Sequence, residues 1–223
     1  MTATGLPPSP PDADEGAPST DEYEPAGWTT SSLFVAAALA AMLAVAATLI
    51  IRHVVTTPSA DSVDVGFLQD MTTHHSQAIE LAAIGAENAT DPEVRSFARE
   101  VLIFQQQEVG YMDAILEGWG QSSGDPERSA MTWMGMPTPL ADMPGMQPDS
   151  VVAGARTLTG AAADATYLRT MIAHHRGGVH MAEFAARRAR DPRVRSLAER
   201  MRTQQQGEIA DYQRAAKRLG ITL

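Results

Sequence analysis

The chain has 223 residues, a formal net charge of −10 and no cysteine. An acidic chain without a basic stripe is a poor nucleic-acid binder, because binding to phosphates depends on lysine and arginine. The lack of cysteine excludes a disulfide framework, a thiolate metal site and a thiol nucleophile. The length suits one medium-sized domain with appendages.

The first 52 residues predict a tail followed by a membrane helix. Residues 1–32 are rich in proline, acidic residues, serine and threonine, and such a segment is predicted to be disordered because it buries too little apolar area. Residues 33–52 form an apolar run whose first charge is Arg52, and the run is long enough to cross a bilayer as a helix. A cleaved signal peptide is the alternative, but a long acidic segment is untypical of the region that precedes one.

The chain after the membrane helix repeats itself. The stretch FLQDMTTHH at residues 67–75 matches YLRTMIAHH at residues 167–175, an offset of 167 − 67 = 100 residues. Self-similarity of this kind marks two copies of one supersecondary unit. We assign repeat 1 to residues 60–120 and repeat 2 to residues 149–223, with a connector rich in methionine, glycine and proline at residues 121–148.

Each repeat predicts two helices. Asp91 and Asp191 suit an N-cap, and the prolines that follow them suit the first helical turn. Gly120 and Gly220 suit the C-terminal stops of the second helices. Two helical hairpins with apolar stripes predict an all-α four-helix bundle, and a short helix is expected around residues 149–158, before the second hairpin.

The histidine pairs of the two repeats are predicted to point into the bundle. A helical wheel places a methionine and the second histidine of each repeat on one apolar face, with the first histidine on its flank. These residues are Met71, His75 and His74 in repeat 1, and Met171, His175 and His174 in repeat 2. His180 falls on the opposite side and is expected at the surface.

The second helix of each repeat is predicted to carry an amide and a carboxylate into the same interior. Gln105 and Glu108 interrupt an apolar stripe that includes Phe104, and Gln205 and Glu208 repeat the pattern. A buried carboxylate needs a partner, and the histidines of the facing helix are the natural candidates. We expect these four side chains to orient histidines rather than to bind metal directly.

Two interpretations explain the buried histidines. Imidazole with thioether, and without thiolate, is a donor set for Cu(I) or Ag(I), and imidazole also suits Cu(II). The alternative is a hydrogen-bonded layer of His and Glu that fixes helix register without a ligand. The clustered methionines of the connector likewise suit either a soft metal or packing against the bundle. They are Met131, Met134, Met136, Met143 and Met146.

One sequence pattern resembles a known family. The motif Asp-x-x-[Phe/Tyr]-Leu-x-x-Met-x-x-His-His, then Asp-Pro-x-Val-Arg and Gln-x-x-Glu, with MPGM between the repeats, is similar to domain of unknown function 305 over about residues 60–223. The resemblance implies a ferritin-like four-helix bundle, exported or membrane-anchored, and in some members copper- or silver-binding. The candidate ligands that it implies are Met71, His74, His75, Met143, Met146, Met171, His174, His175 and Met181. Leu81 stands where the second repeat has methionine, so the first site is expected to be poorer in thioether.

These patterns together predict a membrane-anchored protein that binds a metal ion, copper first and silver as an alternative, and that sequesters or transfers it without catalysis. The resemblance places the bundle outside the cytoplasm, whereas Arg52 after the span weakly favours the opposite orientation. One rival is a metal-free structural or partner-binding bundle. The other is a ferritin-like di-metal oxidase, which needs a Glu-x-x-His motif that the sequence lacks.

Overall fold

The computed structural model describes residues 1, 2 and 29–223, apart from the side chains of residues 51–56. The helices are α1 (Thr30–Thr56), α2 (Val63–Asn88), α3 (Pro92–Gly118), α4 (Asp149–Thr157), α5 (Ala161–Arg188) and α6 (Pro192–Arg218). Two short 3-10 helices lie in the connector, at Thr132–Met134 and Leu140–Asp142. Within the described residues no strand occurs, and only an isolated bridge pairs Ala130 with Thr138. The predicted all-α fold is confirmed.

The chain divides into two compact units, Met1–Arg52 and His53–Leu223. The first unit contains most of α1. Within this helix, Thr30–Ile50 has a mean hydropathy of 2.6 and is 0% buried. This segment is long and apolar enough to cross a membrane, and a signal sequence would have the same properties. Residues 3–28 of the predicted disordered tail lie outside the described residues.

Two antiparallel hairpins, α2 with α3 and α5 with α6, build the four-helix bundle. The helix starts in each hairpin are confirmed as predicted: the Asp91 carboxylate accepts hydrogen bonds from the backbone N–H groups of Glu93 and Val94, and the Asp191 carboxylate accepts one from Arg193. Gly120 and Gly220 follow the last helical turns with φ of 67° and 69°, a conformation that favours glycine.

A reciprocal contact fixes how the hairpins pack. Asp64 at the start of α2 accepts hydrogen bonds from the backbone N–H groups of Arg190 and Asp191, the shorter at 2.7 Å. Asp164 near the start of α5 does the same for Thr90 and Asp91. Each aspartate therefore ties its own helix to the turn of the other repeat. The contacts require α2 and α5 to run antiparallel, so the midpoints of these helices meet at the centre of the bundle.

The second helices follow the predicted pattern with one exception. Gln105 and Gln205 are buried, and Glu108 and Glu208 are half-buried, as expected for an inward face. Phe104 was predicted on the same apolar stripe, but its side chain is 46% exposed. Neighbouring residues on a helix are turned by about 100°, so a face centred on Gln105 directs Phe104 to the flank.

Candidate functional site

Four histidines meet at the centre of the bundle. His74 and His75 of α2 and His174 and His175 of α5 are all 0% exposed. The rings of His74 and His174 lie 3.7 Å apart between centroids, at an interplanar angle of 36°. The predicted inward orientation is confirmed, and His180 is exposed as expected. The antiparallel pairing of α2 and α5 thus joins the two pairs into one group.

Each histidine pair contacts a glutamate from the neighbouring helix. His75 Nε2 lies 2.9 Å from Glu108 Oε2 and is hydrogen-bonded to it. His175 Nε2 lies 2.7 Å from Glu208 Oε2, but the two groups are not aligned as a hydrogen bond, so this is a close polar contact. Gln204 donates to the other oxygen of Glu208 at 3.0 Å. The predicted His–Glu proximity is therefore present, while the orienting role of these carboxylates stays a prediction.

The Nδ1 nitrogens of the four histidines have no hydrogen-bond partners among the described residues. Nδ1 of all four rings is buried without a hydrogen bond to any described residue, and His174 and His175 lack one at Nε2 as well. His74 Nε2 lies 3.2 Å from the Pro144 carbonyl oxygen. Because a carbonyl only accepts, this nitrogen carries the proton and Nδ1 of His74 holds a lone pair. A buried polar group without a partner costs about 1–3 kcal/mol, so these atoms call for an explanation.

Burial also keeps two of the rings neutral. It lowers the pKa of His74 to about 3, aided by His75 and only partly opposed by the Pro144 carbonyl. Burial and the neighbouring His74 ring lower the pKa of His174 well below its usual value. Burial alone would raise the pKa of Glu208, but His175 and Gln204 outweigh it and hold that pKa below its ordinary value. Neutral imidazole is the form that coordinates a metal.

The methionines are distributed unevenly around the histidines. Met71, Met143 and Met181 are buried in one apolar cluster, and Met146 packs against it. Met171 lies in a second cluster on the other side. The antiparallel pairing brings Met181 of repeat 2 to Met71 of repeat 1. Leu81 lies in the cluster of Met171, and the expectation that the first site is poorer in thioether stays a prediction.

The connector lies over the histidine centre. The carbonyl of Pro144 contacts His74, and a side chain on Gly177 of α5 would overlap that carbonyl. Gln77 of α2 and Gln147 exchange two hydrogen bonds, of 2.8 and 2.6 Å. The loop that carries MPGM is thus fastened to α2 and pressed closely on α5.

The connector methionines mostly pack against the bundle. Met131 and Met143 are buried, Met134 and Met146 are partly buried, and Met136 is exposed. The packing interpretation therefore accounts for the first four. Capture of a soft metal by this group stays a prediction.

Sequence reasoning missed Asp70, which anchors the connector. This fully buried carboxylate accepts hydrogen bonds from the backbone N–H of Met131 at 2.8 Å and from Trp133 Nε1 at 2.6 Å, and it pairs with Arg128. The one sequence signal is an aspartate one residue before Met71, where repeat 2 has Thr170. Its partners lie in the connector, which has no periodicity from which the contact could be predicted.

No group of three or more His, Asp or Glu side chains in the described part of the chain is arranged to hold a metal ion. The four candidate histidines accordingly do not form a preassembled site with three nitrogen or oxygen donors. The four histidines are together, three of the methionines share a neighbouring cluster, and Met171 lies apart from them. A metal here would need thioether donors, rearranged side chains, or both.

Comparison with known sequences places the chain in a family. The family model described as domain of unknown function, DUF305, matches residues 64–216. The chain belongs to the DUF305 family. No curated protein matches the sequence significantly.

Solved DUF305 proteins have the same fold. A protein from Streptomyces coelicolor is 36% identical with a TM-score of 0.69, over 74% of this chain and 98% of that one. A fragment from Deinococcus radiodurans is 34% identical with a TM-score of 0.62, over 72% and 99%. CopM in its Cu(I)-bound form is 23% identical with a TM-score of 0.52, over 70% and 96%. CopM is also known in Cu(II)-bound, Ag-bound and apo forms. At this identity CopM demonstrates the shared fold alone.

Proposed function

We propose that this DUF305 protein binds Cu(I), with Ag(I) as its chemical equivalent, in the interior formed by the buried histidines and the adjacent methionines. The observation that carries the proposal is the set of four buried Nδ1 atoms that have no hydrogen-bond partner among the described residues. A bound cation would satisfy those lone pairs and offset the cost of burying them. Imidazole and thioether donors without thiolate suit Cu(I), and imidazole alone also accepts Cu(II).

The proposed candidate ligands are the four histidines, the three methionines of the adjacent cluster, Met146 and Met171. CopM, which shares this fold and has been solved with copper and with silver, supports a metal-binding role. Cargo binding, in the sense of sequestration or transfer, fits this donor set better than catalysis. Glu108 and Glu208 would orient His75 and His175, as carboxylates commonly do for histidine ligands.

We further propose that the protein is tethered to a membrane through Thr30–Ile50, with the bundle outside the cytoplasm. The segment has the length and apolarity that a span requires. Imidazole and thioether donors need no reducing environment, unlike thiols, which persist mainly in the cytosol.

Thermal unfolding with and without metal tests the proposal. Cu(I) or Ag(I) should raise the unfolding midpoint of the wild type, because a ligand that binds only the native state stabilises it. Changing both His74 and His75, or both His174 and His175, to Gln should remove most of that increase. A metal-free His–Glu layer predicts instead that the variants lose stability equally with and without metal. If metal shifts the wild type and both double variants alike, or shifts none of them, the proposal is wrong.

A further inference from the structure

The proposed metal-binding interior raises the question of access. All four histidine rings are 0% exposed. The connector closes one side through the contact of Pro144 with His74. The side chains of Glu108 and Glu208 each keep 18% of their surface exposed and are the parts of the His–Glu layer that reach solvent. A metal ion must therefore pass either beneath the connector or along these carboxylates.

A groove between α3 and α6 leads to one of the two carboxylates. Its volume is about 260 Å³. The residues lining it include Phe104, Gln107, Glu108, Tyr111, Leu197 and Gln204. Arg200 also lines the groove and donates a hydrogen bond to the Ser196 hydroxyl. The groove therefore connects solvent to a carboxylate that touches His75.

The two repeats differ at this point. In repeat 2 the Gln204 amide donates to Glu208 Oε1, so both oxygens of Glu208 are in contact with protein groups. The equivalent residue of repeat 1 is Phe104, which has no donor. Oε1 of Glu108 consequently has no hydrogen-bond partner among the described residues, while Oε2 contacts His75. An uncommitted carboxylate oxygen thus lies in the groove, one side chain away from the buried imidazoles.

We propose that this groove is the route by which the metal ion reaches the buried histidines, and that the negative charge of Glu108 draws the ion toward them. The inference rests on the proposed function and specifies how the cargo gains access to that site. The carboxylate attracts a cation, and it contacts His75, one of the proposed ligands. Glu208, which is held by Gln204, lacks such a free oxygen.

A variant that narrows the groove gives the sharpest test. Gln107 is exposed at the rim, so Gln107→Trp should obstruct the passage without entering the core. An obstructed route slows uptake and release alike, and it leaves the equilibrium unchanged. We expect the association and dissociation rates of Cu(I) to fall together by about tenfold, with the same Kd. Gln106→Trp, on the same helix and exposed but outside the groove lining, is the control and should leave both rates unchanged.

Two more variants complete the experiment. The rates of all variants are measured on the full chain in detergent micelles, by rapid mixing of Cu(I) with a chromogenic chelator as competitor. Tyr111→Ala widens the groove and should raise both rates. Glu108→Gln removes the negative charge and should lower the association rate by about tenfold, at the lower end of what electrostatic attraction contributes.

The outcomes separate the two proposals. If the wild type binds no Cu(I), the proposed function fails. If the wild type binds Cu(I) and both Gln107→Trp and Tyr111→Ala leave the rates unchanged, the groove is not the route and the inference is wrong. If Gln107→Trp loses helix content, Tyr111→Ala decides, and unchanged rates in that variant overturn the inference.

Discussion

At the scale of single residues, the histidines combine full burial with unpartnered ring nitrogens. Burial alone would favour apolar side chains at these positions, because an imidazole without partners costs free energy that leucine would not. His75 Nε2 is hydrogen-bonded to Glu108, whereas His175 Nε2 only lies close to Glu208, and Nδ1 of both rings has no hydrogen-bond partner among the described residues. A purely structural polar layer has no need for these free nitrogens, whereas a metal site does.

The buried histidines predict how stability depends on pH. The pKa of His74 is about 3 in the folded chain and about 6.5 when unfolded, so the unfolded state binds more protons between these values. Stability should therefore decrease as pH falls below about 6.5, by up to about 1.4 kcal/mol per pH unit for each such histidine. His174, whose pKa is also lowered, acts in the same direction. Denaturant unfolding between pH 7 and pH 5 measures the slope.

The control for this pH dependence is a histidine of the same chain. His180 is exposed, so His180→Gln should leave the slope unchanged. His174→Gln should reduce the slope of stability against pH, because it removes one histidine whose pKa is lowered on folding. A stability that is flat from pH 7 to pH 5 would contradict the burial of neutral histidines.

The carboxylate at His175 gives a second prediction at this scale. Glu208→Gln should weaken metal binding by about ten- to a hundredfold if Glu208 orients His175, because carboxylate partners of ligand histidines contribute to affinity by that amount. Competition with a Cu(I) chelator measures the Kd. Glu199→Gln, on the exposed side of α6, is the matched control. If both variants bind Cu(I) with the same affinity as the wild type, Glu208 does not contribute to the site.

At the scale of helices and loops, the sequence predicts regular elements well and their assembly less well. Asp91-Pro92 and Asp191-Pro192 predict the helix starts correctly because capping is a local interaction. The presence of Met71 and Met181 in one apolar cluster depends on the antiparallel arrangement of α2 and α5, which no local pattern contains. The anchoring of the connector by Asp70 is equally non-local.

The close approach of the connector to α5 can be tested with a single methyl group. A side chain at Gly177 would overlap the Pro144 carbonyl, so Gly177→Ala should displace the loop and cost about 1–3 kcal/mol. Gly207→Ala in α6 is the control, because nothing lies within 4 Å of that position. Without a clash, this change should stabilise the helix by roughly 0.5–1 kcal/mol. Chemical unfolding of both variants should give opposite signs, and a stable Gly177→Ala would mean that the loop is not docked.

The connector methionines allow a separate test of soft-metal capture. Changing Met131, Met134, Met136, Met143 and Met146 to Leu should lower the Cu(I) stoichiometry and leave helix content intact. Leu is close to Met in volume, so each change should cost less than about 1.5 kcal/mol. Met112→Leu with Met201→Leu, two buried methionines of the bundle, is the control for packing alone. Unchanged stoichiometry with lowered stability would support packing as the role of the five.

At the scale of the whole molecule, a candidate membrane span and a bundle share one chain. The candidate span Thr30–Ile50 belongs to the first compact unit, and the second unit begins at His53. Tethering raises the local concentration of the bundle near any membrane partner that donates or accepts metal. Orientation decides which compartment it serves, and the single Arg52 is a weak determinant of it.

We expect the bundle to lie outside the cytoplasm, because its proposed ligands are thioethers and imidazoles, which can still bind metal in an oxidising compartment. Protease added to intact cells should then remove the bundle and leave a short fragment that contains Thr30–Ile50. Permeabilised cells provide the control for cleavage of the folded bundle, and a cytoplasmic protein of the same cells reports on their integrity. Full protection of the bundle in intact cells, with loss of residues 1–29 instead, would reverse the orientation. Recovery of the bundle in the medium without the apolar segment would identify that segment as a cleaved signal. The experiment therefore distinguishes a membrane anchor from a signal sequence, and it also distinguishes the two orientations of an anchor.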